Sequence, residues 1–302
     1  MKNKQNFKLN TPILYLVFNR VDTIKRTFPE IRKAKPKQLF IAADGPRTKE
    51  EKKKTDGVRR YILDNITWEC EVKTLFRDKN LGCKYAVSSA LDWFFENVPE
   101  GIILEDDCLP SQSFFRFCQE MLERYREDKR IMHISGTNVE GIRGKGSGYF
   151  FSKVFNVWGW ASWRRAWKGY DVEILRWPQF RDGGWMRQFS RNYLDNLNNV
   201  RGMNNLYNGK LDTWDYQWAF YCLINAGLAI IPDSNLIKNL GFNNGTHMSK
   251  GDENKVLELK SIKFPLGEPD FMMESKSYLY SAARFFYKGR VRRKILNFFQ
   301  LM

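Results

Sequence analysis

Gly101-Ile102-Ile103-Leu104-Glu105-Asp106-Asp107 is the stretch on which the fold turns. Three apolar residues run straight into three consecutive carboxylates, and Cys108-Leu109-Pro110 then turns the chain away. A short continuous apolar run predicts a buried strand of a mostly parallel sheet. A carboxylate buried without a partner is costly, so three at a strand end face water or a cation. Hard divalent cations such as Mn²⁺ or Mg²⁺ take oxygen ligands and keep positions open for phosphates. In open α/β sheets the ligand crevice lies just outside the carboxyl ends of the strands. The plainer alternative is an acidic turn that caps a helix starting near Ser111 or Ser113.

Upstream of this stretch the same pattern repeats. Ile13 to Phe18 predicts a first strand closing at Asn19-Arg20, with Asp22 as the cap of a helix from Thr23 to about Ala34. Gln38 to Ala43 predicts a second strand, ending in Asp44-Gly45-Pro46-Arg47. The basic segment Thr48 to Lys54 reads as a solvated loop or helix start, and Val58 to Ile66 as helix. Glu71 to Phe76 gives a third strand that ends at Arg77-Asp78-Lys79-Asn80-Leu81-Gly82, before a helix from Cys83 to about Asn97. Strands alternating with helices are the pattern of a wound parallel sheet. Polarity at one strand end is ordinary loop chemistry. Asp, Arg and Gly at all four favour a nucleotide crevice along one edge.

Composition sets the bounds. The chain has 302 residues, 43% hydrophobic and 15% aromatic, enough for one large α/β domain or a domain with an appendage. No apolar run approaches the length of a membrane span, and the Lys-rich start lacks the apolar segment of a signal peptide. The five cysteines (Cys70, Cys83, Cys108, Cys118 and Cys222) have no metal-ligand spacing and read as reduced, so a cytoplasmic setting is expected. Two histidines, His133 and His247, are too few for a His-based zinc site. Lys and Arg outnumber Asp and Glu by 50 to 34, a formal charge of +16, so an anionic partner is expected.

Downstream, a helix from Ser113 to Arg126 precedes a strand from Arg130 to Ser135, and the glycine-rich Thr137 to Tyr149 reads as a mobile loop. Trp158-Gly159-Trp160-Ala161-Ser162-Trp163-Arg164-Arg165-Ala166-Trp167 suits either a core or a stacking platform, with Trp158 or Trp160 at its border. Residues 171–210 read as mixed helix and polar loop. Asp212-Thr213-Trp214-Asp215-Tyr216-Gln217-Trp218 leads into an apolar helix through Ile224. There Asp212 can cap that helix and Asp215 can sit in its first turn, or one of them can be a general base in a partly dry site. Ala229 to Pro232 is a last strand, followed by a Gly/Asn-rich loop that carries His247.

In this order the motifs resemble bacterial nucleotide-sugar glycosyltransferases of the GT-A fold, those similar to N-acetylglucosaminyltransferase I, over residues 12–248. The resemblance implies a Rossmann-like, mostly parallel twisted sheet with helices on both faces, a catalytic domain over 1–250 and a basic amphipathic extension over 251–302. It implies that Asn19, Arg20, Asp44, Arg77, Gly82, Glu105 and Asp106 line a nucleotide-diphosphate sugar, preferably a UDP-sugar. Asp44 would stand by the base or ribose, and Arg77 by the sugar or diphosphate. It further implies Mn²⁺ (or Mg²⁺) held directly by Asp107, with His247 touching the metal or diphosphate. Asp215 or Asp212 would deprotonate the acceptor hydroxyl with inversion; here Tyr216 follows Asp215, where that family's name-giving enzyme has two adjacent acids. The acceptor implied is a glycan or lipid-linked saccharide of surface polysaccharide.

Three other readings compete, one of them a degenerate, non-catalytic glycosyltransferase-like binding module, which the intact acidic triplet disfavours. A nucleic-acid-binding protein fits the charge, but no RNA-binding or helix-turn-helix signature is present, and the acidic triplet would repel phosphate. A sugar nucleotidyltransferase would carry a Gly-rich phosphate loop after the first strand, which Phe18-Asn19-Arg20-Val21 is not. The tail from Tyr278 to Met302 alternates Phe285, Phe286, Ile295, Leu296, Phe298 and Phe299 with cations. Those aromatics either pack on the domain or a sister subunit, or lie on an anionic membrane surface as a peripheral anchor.

Overall fold

The computed structural model describes residues 7–139, 146–190, 192–241 and 257–285. Strands β1 (Ile13–Val17), β2 (Gln38–Ala43), β3 (Glu71–Phe76) and β4 (Glu100–Glu105) alternate with helices α1 (Val21–Ala34), α2 (Lys49–Asp64) and α3 (Gly82–Asn97). Next come β5 (Cys108–Pro110), α4 (Gln112–Arg124), β6 (Ile131–Ser135), β7 (Tyr149–Ser152), β8 (Trp160–Trp163) and α5 (Arg164–Trp167). The chain continues through α6 (Trp177–Asp182), a 3-10 turn (Trp185–Phe189), α7 (Tyr193–Tyr207), α8 (Asp215–Ile224), β9 (Leu228–Pro232) and β10 (Ile237–Asn239).

Eight strands form one mixed sheet in the order β3-β2-β1-β4-β8-β6-β9-β7. β1 pairs in parallel with β2 and β4, β2 with β3, and β6 with β9. β8 runs antiparallel to β4 and β6, and β7 antiparallel to β9. The expected mostly parallel α/β sheet is therefore present. The expected convergence follows from it, because the carboxyl ends of β1 to β4 lie along one edge.

Side-chain alternation along the strands makes two cores. Ile13, Tyr15, Val17, Ile41, Ala43, Ile102 and Leu104 point to one, closed by α1, α2 and α4 through Phe28, Ile31, Val58, Ile62, Phe114 and Phe117. Leu14, Leu16, Phe40, Ala42 and Ile103 point to the other, where α3 and the tryptophans Trp160, Trp167, Trp214 and Trp218 lie. Helices thus cover both faces. A smaller cluster of Trp177, Met186, Met203, Leu206 and Phe220 holds α6, the 3-10 turn and α7 together beside α8.

Several local expectations are corrected. Helix α1 starts at Val21 with Arg20 at its cap position, and Asp22 lies in the first turn without capping. The run after Thr48 is helix from Lys49 on, because the Thr48 hydroxyl accepts the Glu51 N–H at 3.1 Å. Cys108–Pro110 is a strand paired with β10. The start of the glycine-rich run, Thr137 to Val139, is buried, and its end enters β7; its residues 140–145 lie outside the described residues. Residues 257–285 of the extension are described, and they touch the rest of the chain. Tyr278 and Ala282 are buried in the second core, Phe150 and Tyr278 meet edge to face at 5.1 Å, and Ser275 N–H donates to Phe151 O at 2.8 Å. The remaining tail, 286–302, lies outside the described residues.

Candidate active site

The acidic triplet closes β4, and Arg20 reaches it from the end of β1. The guanidinium forks across two carboxylates, with Nη1 donating to Asp107 Oδ2 at 3.1 Å and Nη2 to Asp106 Oδ1. Asp106 and Asp107 are 2% and 8% exposed. Burial pushes the Asp106 carboxyl up to about 6, with Arg20 opposing and Asp107 adding to the shift. Glu105 is raised well above its usual range, by burial first and then by Asp107, Asp106 and Asp215. Arg20 is itself desolvated, but the two carboxylates outweigh that and hold it protonated.

One cation against this concentration of acid leaves a specific remainder. Asp106 Oδ2 is buried and has no hydrogen-bond partner among the described residues. A buried acceptor without a donor is what a cation satisfies. The donors are all oxygens, which suits Mn²⁺ or Mg²⁺. Among the described residues no three His, Cys, Asp or Glu side chains form a complete cage. That agrees with an ion held by one or two carboxylates and completed by phosphate oxygens. His247, expected to join it, lies outside the described residues.

The chain leaving β10 packs directly over Asp107. Leu240 N–H donates to Asp107 O at 2.8 Å, and a Cβ on Gly241 would lie 2.5 Å from Asp107 Oδ2. Only glycine leaves that carboxylate its place.

A second set of contacts is built by residues just beyond β2 and β3. Asp44 accepts Gly45 N–H at 2.8 Å, Leu81 N–H at 3.0 Å and Asn80 Nδ2 at 2.9 Å, so its carboxylate already organises the β3–α3 loop. Arg77 donates to Ser89 Oγ at 2.7 Å and forms no ion pair among the described residues, a half-buried cation available to an anion. Asn19 is held by Glu51 at 2.8 Å, and Glu51 in turn binds Arg47, which lowers it to about 2.

Asp215 stands in the first turn of α8 and accepts from Thr213 Oγ1. Its charge acts on Glu105, and at Cys83 it joins Glu105, Asp212 and Asp44. Desolvation of the thiol and those four acids push Cys83 up to about 12, although the residue as a whole is exposed. Asp212 does not cap α8. It caps α3, accepting Cys83 N–H at 3.0 Å and Lys84 N–H at 2.8 Å. Gly82 precedes these with φ of +76°, and a Cβ there would lie 3.0 Å from Asp212 Oδ2.

The structure thus brings Asn19, Arg20, Asp44, Arg77, Gly82, Glu105, Asp106, Asp107, Asp212 and Asp215 to one edge. The tryptophans are core: Trp160 is fully buried and cannot border the site as expected, whereas Trp158 is half-buried. Sequence reasoning missed Arg59, whose Nη2 donates to Asp44 O at 3.1 Å and Arg77 O at 2.6 Å while its guanidinium lies over Phe76. In sequence it is one more cation of a basic helix. Glu51 and Thr213 were missed likewise, and only Thr213, between two candidate acids, carried a positional signal.

No protein-family model and no curated protein matches the chain. Among solved structures, similarity is found to a mannosyltransferase, PcManGT from Pyrobaculum calidifontis, in complex with GDP-Man and Mn²⁺, at 12% identity and TM-score 0.40. That match covers 56% of this chain and 49% of the mannosyltransferase, so the chain spans about half of it. HddC from Yersinia pseudotuberculosis gives 8% identity over 51% of this chain and 77% of that one, TM-score 0.34. Mouse xyloside xylosyltransferase 1 gives 9% over 72% and 82%, TM-score 0.36. At such values the chemistry has to rest on this chain's own residues.

Proposed function

We propose that the protein is a metal-dependent glycosyltransferase of GT-A type. It would move a sugar from a nucleotide-diphosphate donor, UDP-sugars first, to a hydroxyl of a glycan or lipid-linked saccharide in surface-polysaccharide synthesis. The observation that carries this is the acidic β4 end, whose Asp106 Oδ2 is buried with no hydrogen-bond partner among the described residues, at the sheet edge where Asp212 binds the start of α3 and Asp215 opens α8.

Asp107 and Asp106 would hold Mn²⁺ or Mg²⁺, which as a Lewis acid offsets the charge developing on the leaving diphosphate. Arg77, half-buried and without an ion pair, would bind the diphosphate or sugar. Asn19, Asp44 and the Asn80-Leu81-Gly82 loop would frame the nucleoside. Asp215 would take the proton of the acceptor hydroxyl as that oxygen bonds to the anomeric carbon and the carbon–phosphate-oxygen bond breaks. A single displacement of this kind inverts the anomeric centre.

The test is a panel of nucleotide sugars with the purified protein, read as Mn²⁺-dependent donor hydrolysis and thermal stabilisation. One donor should both stabilise the protein and turn over, with both effects lost in EDTA and in Asp107→Ala. Turnover unchanged in EDTA would sink the metal-dependent reading.

A further inference from the structure

We propose that the outward face of α7 and the adjoining 3-10 turn is a docking surface for an anionic lipid bilayer. In α7, Tyr193, Leu194, Leu197 and Arg201 follow a spacing that puts them on one side of the helix. The opposite side carries Met203 and Leu206, which are buried in the small core with Trp177 and Met186. The helix therefore carries apolar side chains on both sides, unlike a solvated surface helix. Its inner face is satisfied, yet Tyr193, Leu194 and Leu197 are 70%, 69% and 46% exposed.

The 3-10 turn continues the same surface. Trp185 is 52% exposed, and Arg187 and Tyr193 line one shallow depression between the turn and the start of α7. Arg187 and Arg201 are exposed and form no ion pair among the described residues. Of the acids on these elements, Asp195 is buried and Asp182 is paired with Arg181. Large apolar side chains rimmed by unpaired arginines match the two attractions of an anionic leaflet, acyl burial and headgroup charge. Single exposed apolar residues need no explanation, but a helix that shows three on one side does.

The experiment uses the full chain and sedimentation with phosphatidylcholine vesicles, with and without phosphatidylglycerol. Wild type should bind only the anionic vesicles and come off in high salt. The double variant Leu194→Glu/Leu197→Glu should lose binding by about tenfold or more, and Arg187→Gln/Arg201→Gln should lose the preference for anionic lipid. Both variants should unfold at the wild-type temperature and keep donor-dependent stabilisation, which separates this test from that of the transfer reaction. Undiminished vesicle binding by the Leu variant, with residues 286–302 intact, overturns the proposal. So does a dimer in solution that the Leu variant abolishes while wild type ignores vesicles; the surface would then bind a second copy of the chain.

Discussion

Asp212 and Asp215 are chemically alike, and substitution separates what they do. Asp212 holds two backbone N–H groups at the start of α3, at 3.0 and 2.8 Å, and both bonds are solvent-exposed. Loss of a helix cap costs roughly 0.5–2 kcal/mol, so Asp212→Ala should destabilise by about 1 kcal/mol. Asp212→Asn keeps one of the two accepting oxygens and sets an amide NH2 against the other N–H, so it should lose part of the cap and fall between Asp212→Ala and wild type in stability. Asp215→Asn keeps its size and its bond from Thr213 but cannot take a proton. A general base contributes about 10²–10⁴-fold, a barrier change of roughly 3–5 kcal/mol. Urea unfolding, turnover at saturating donor and donor affinity by calorimetry should then divide the three variants. Asp212→Ala should be the least stable and partly active, Asp212→Asn mildly destabilised and active, and Asp215→Asn stable, donor-binding and almost dead. A folded but inactive Asp212→Asn beside an active Asp215→Asn would refute the assignment and make Asp212 the base.

Other outcomes follow from the same geometry. His133 is fully buried, its Nε2 donating to Asn156 O at 2.9 Å and its Nδ1 accepting from Trp218 Nε1 at 3.2 Å, and burial lowers it to about 3. The unfolded chain takes up this proton below about pH 6.5 and the folded chain does not. Stability should therefore fall as pH drops from 6.5 towards 3, by up to about 5 kcal/mol, and urea titrations of His133→Gln should show a flatter slope. Arg20→Gln leaves two buried carboxylates unpaired and should cost about 3 kcal/mol at neutral pH, less in acid where Asp106 is protonated, by thermal melts across pH. Gly241→Ala pushes a methyl into the Asp107 carboxylate and should weaken Mn²⁺ binding about tenfold or more, measured by calorimetry, with little change in melting temperature. Tyr278→Ala empties a buried site beside Phe150 and should cost about 3–5 kcal/mol in urea unfolding.

The first four strands were legible because each is a continuous apolar run closed by polar residues, and burial on both faces demands that composition. β7, β8 and β10 were not. They are three or four residues long, and β8 is written in tryptophan and serine, which mark a core without marking a strand. The site was legible as a set of strand ends and illegible as a set of pairings. Asp212 reads as the cap of the helix after it, yet it caps one whose first turn lies 129 residues earlier. Arg20 reads as one more loop cation, and only the parallel pairing of β1 with β4 sets it against Asp106 and Asp107. Periodicity is local and these partners are not, so the residue types could be named in advance while their roles could not.

The pairing of Arg20 also bears on why so basic a chain gathers its acids at one edge. A net charge of +16 attracts an anion from a distance, but a diphosphate arriving at Glu105, Asp106 and Asp107 meets repulsion at short range. One guanidinium cannot balance three carboxylates, and the unmatched Asp106 oxygen is the local sign of that deficit. On the proposed reading a divalent ion would correct it and give the phosphate oxygens a ligand, while Arg77, without an ion pair among the described residues, would supply the second positive charge from the end of β3. The acids would then make donor binding conditional on the ion, and the net positive charge would set only how fast the donor arrives. On this account high salt should slow donor association and leave the requirement for the ion intact, because screening weakens the long-range field far more than contacts inside a buried site.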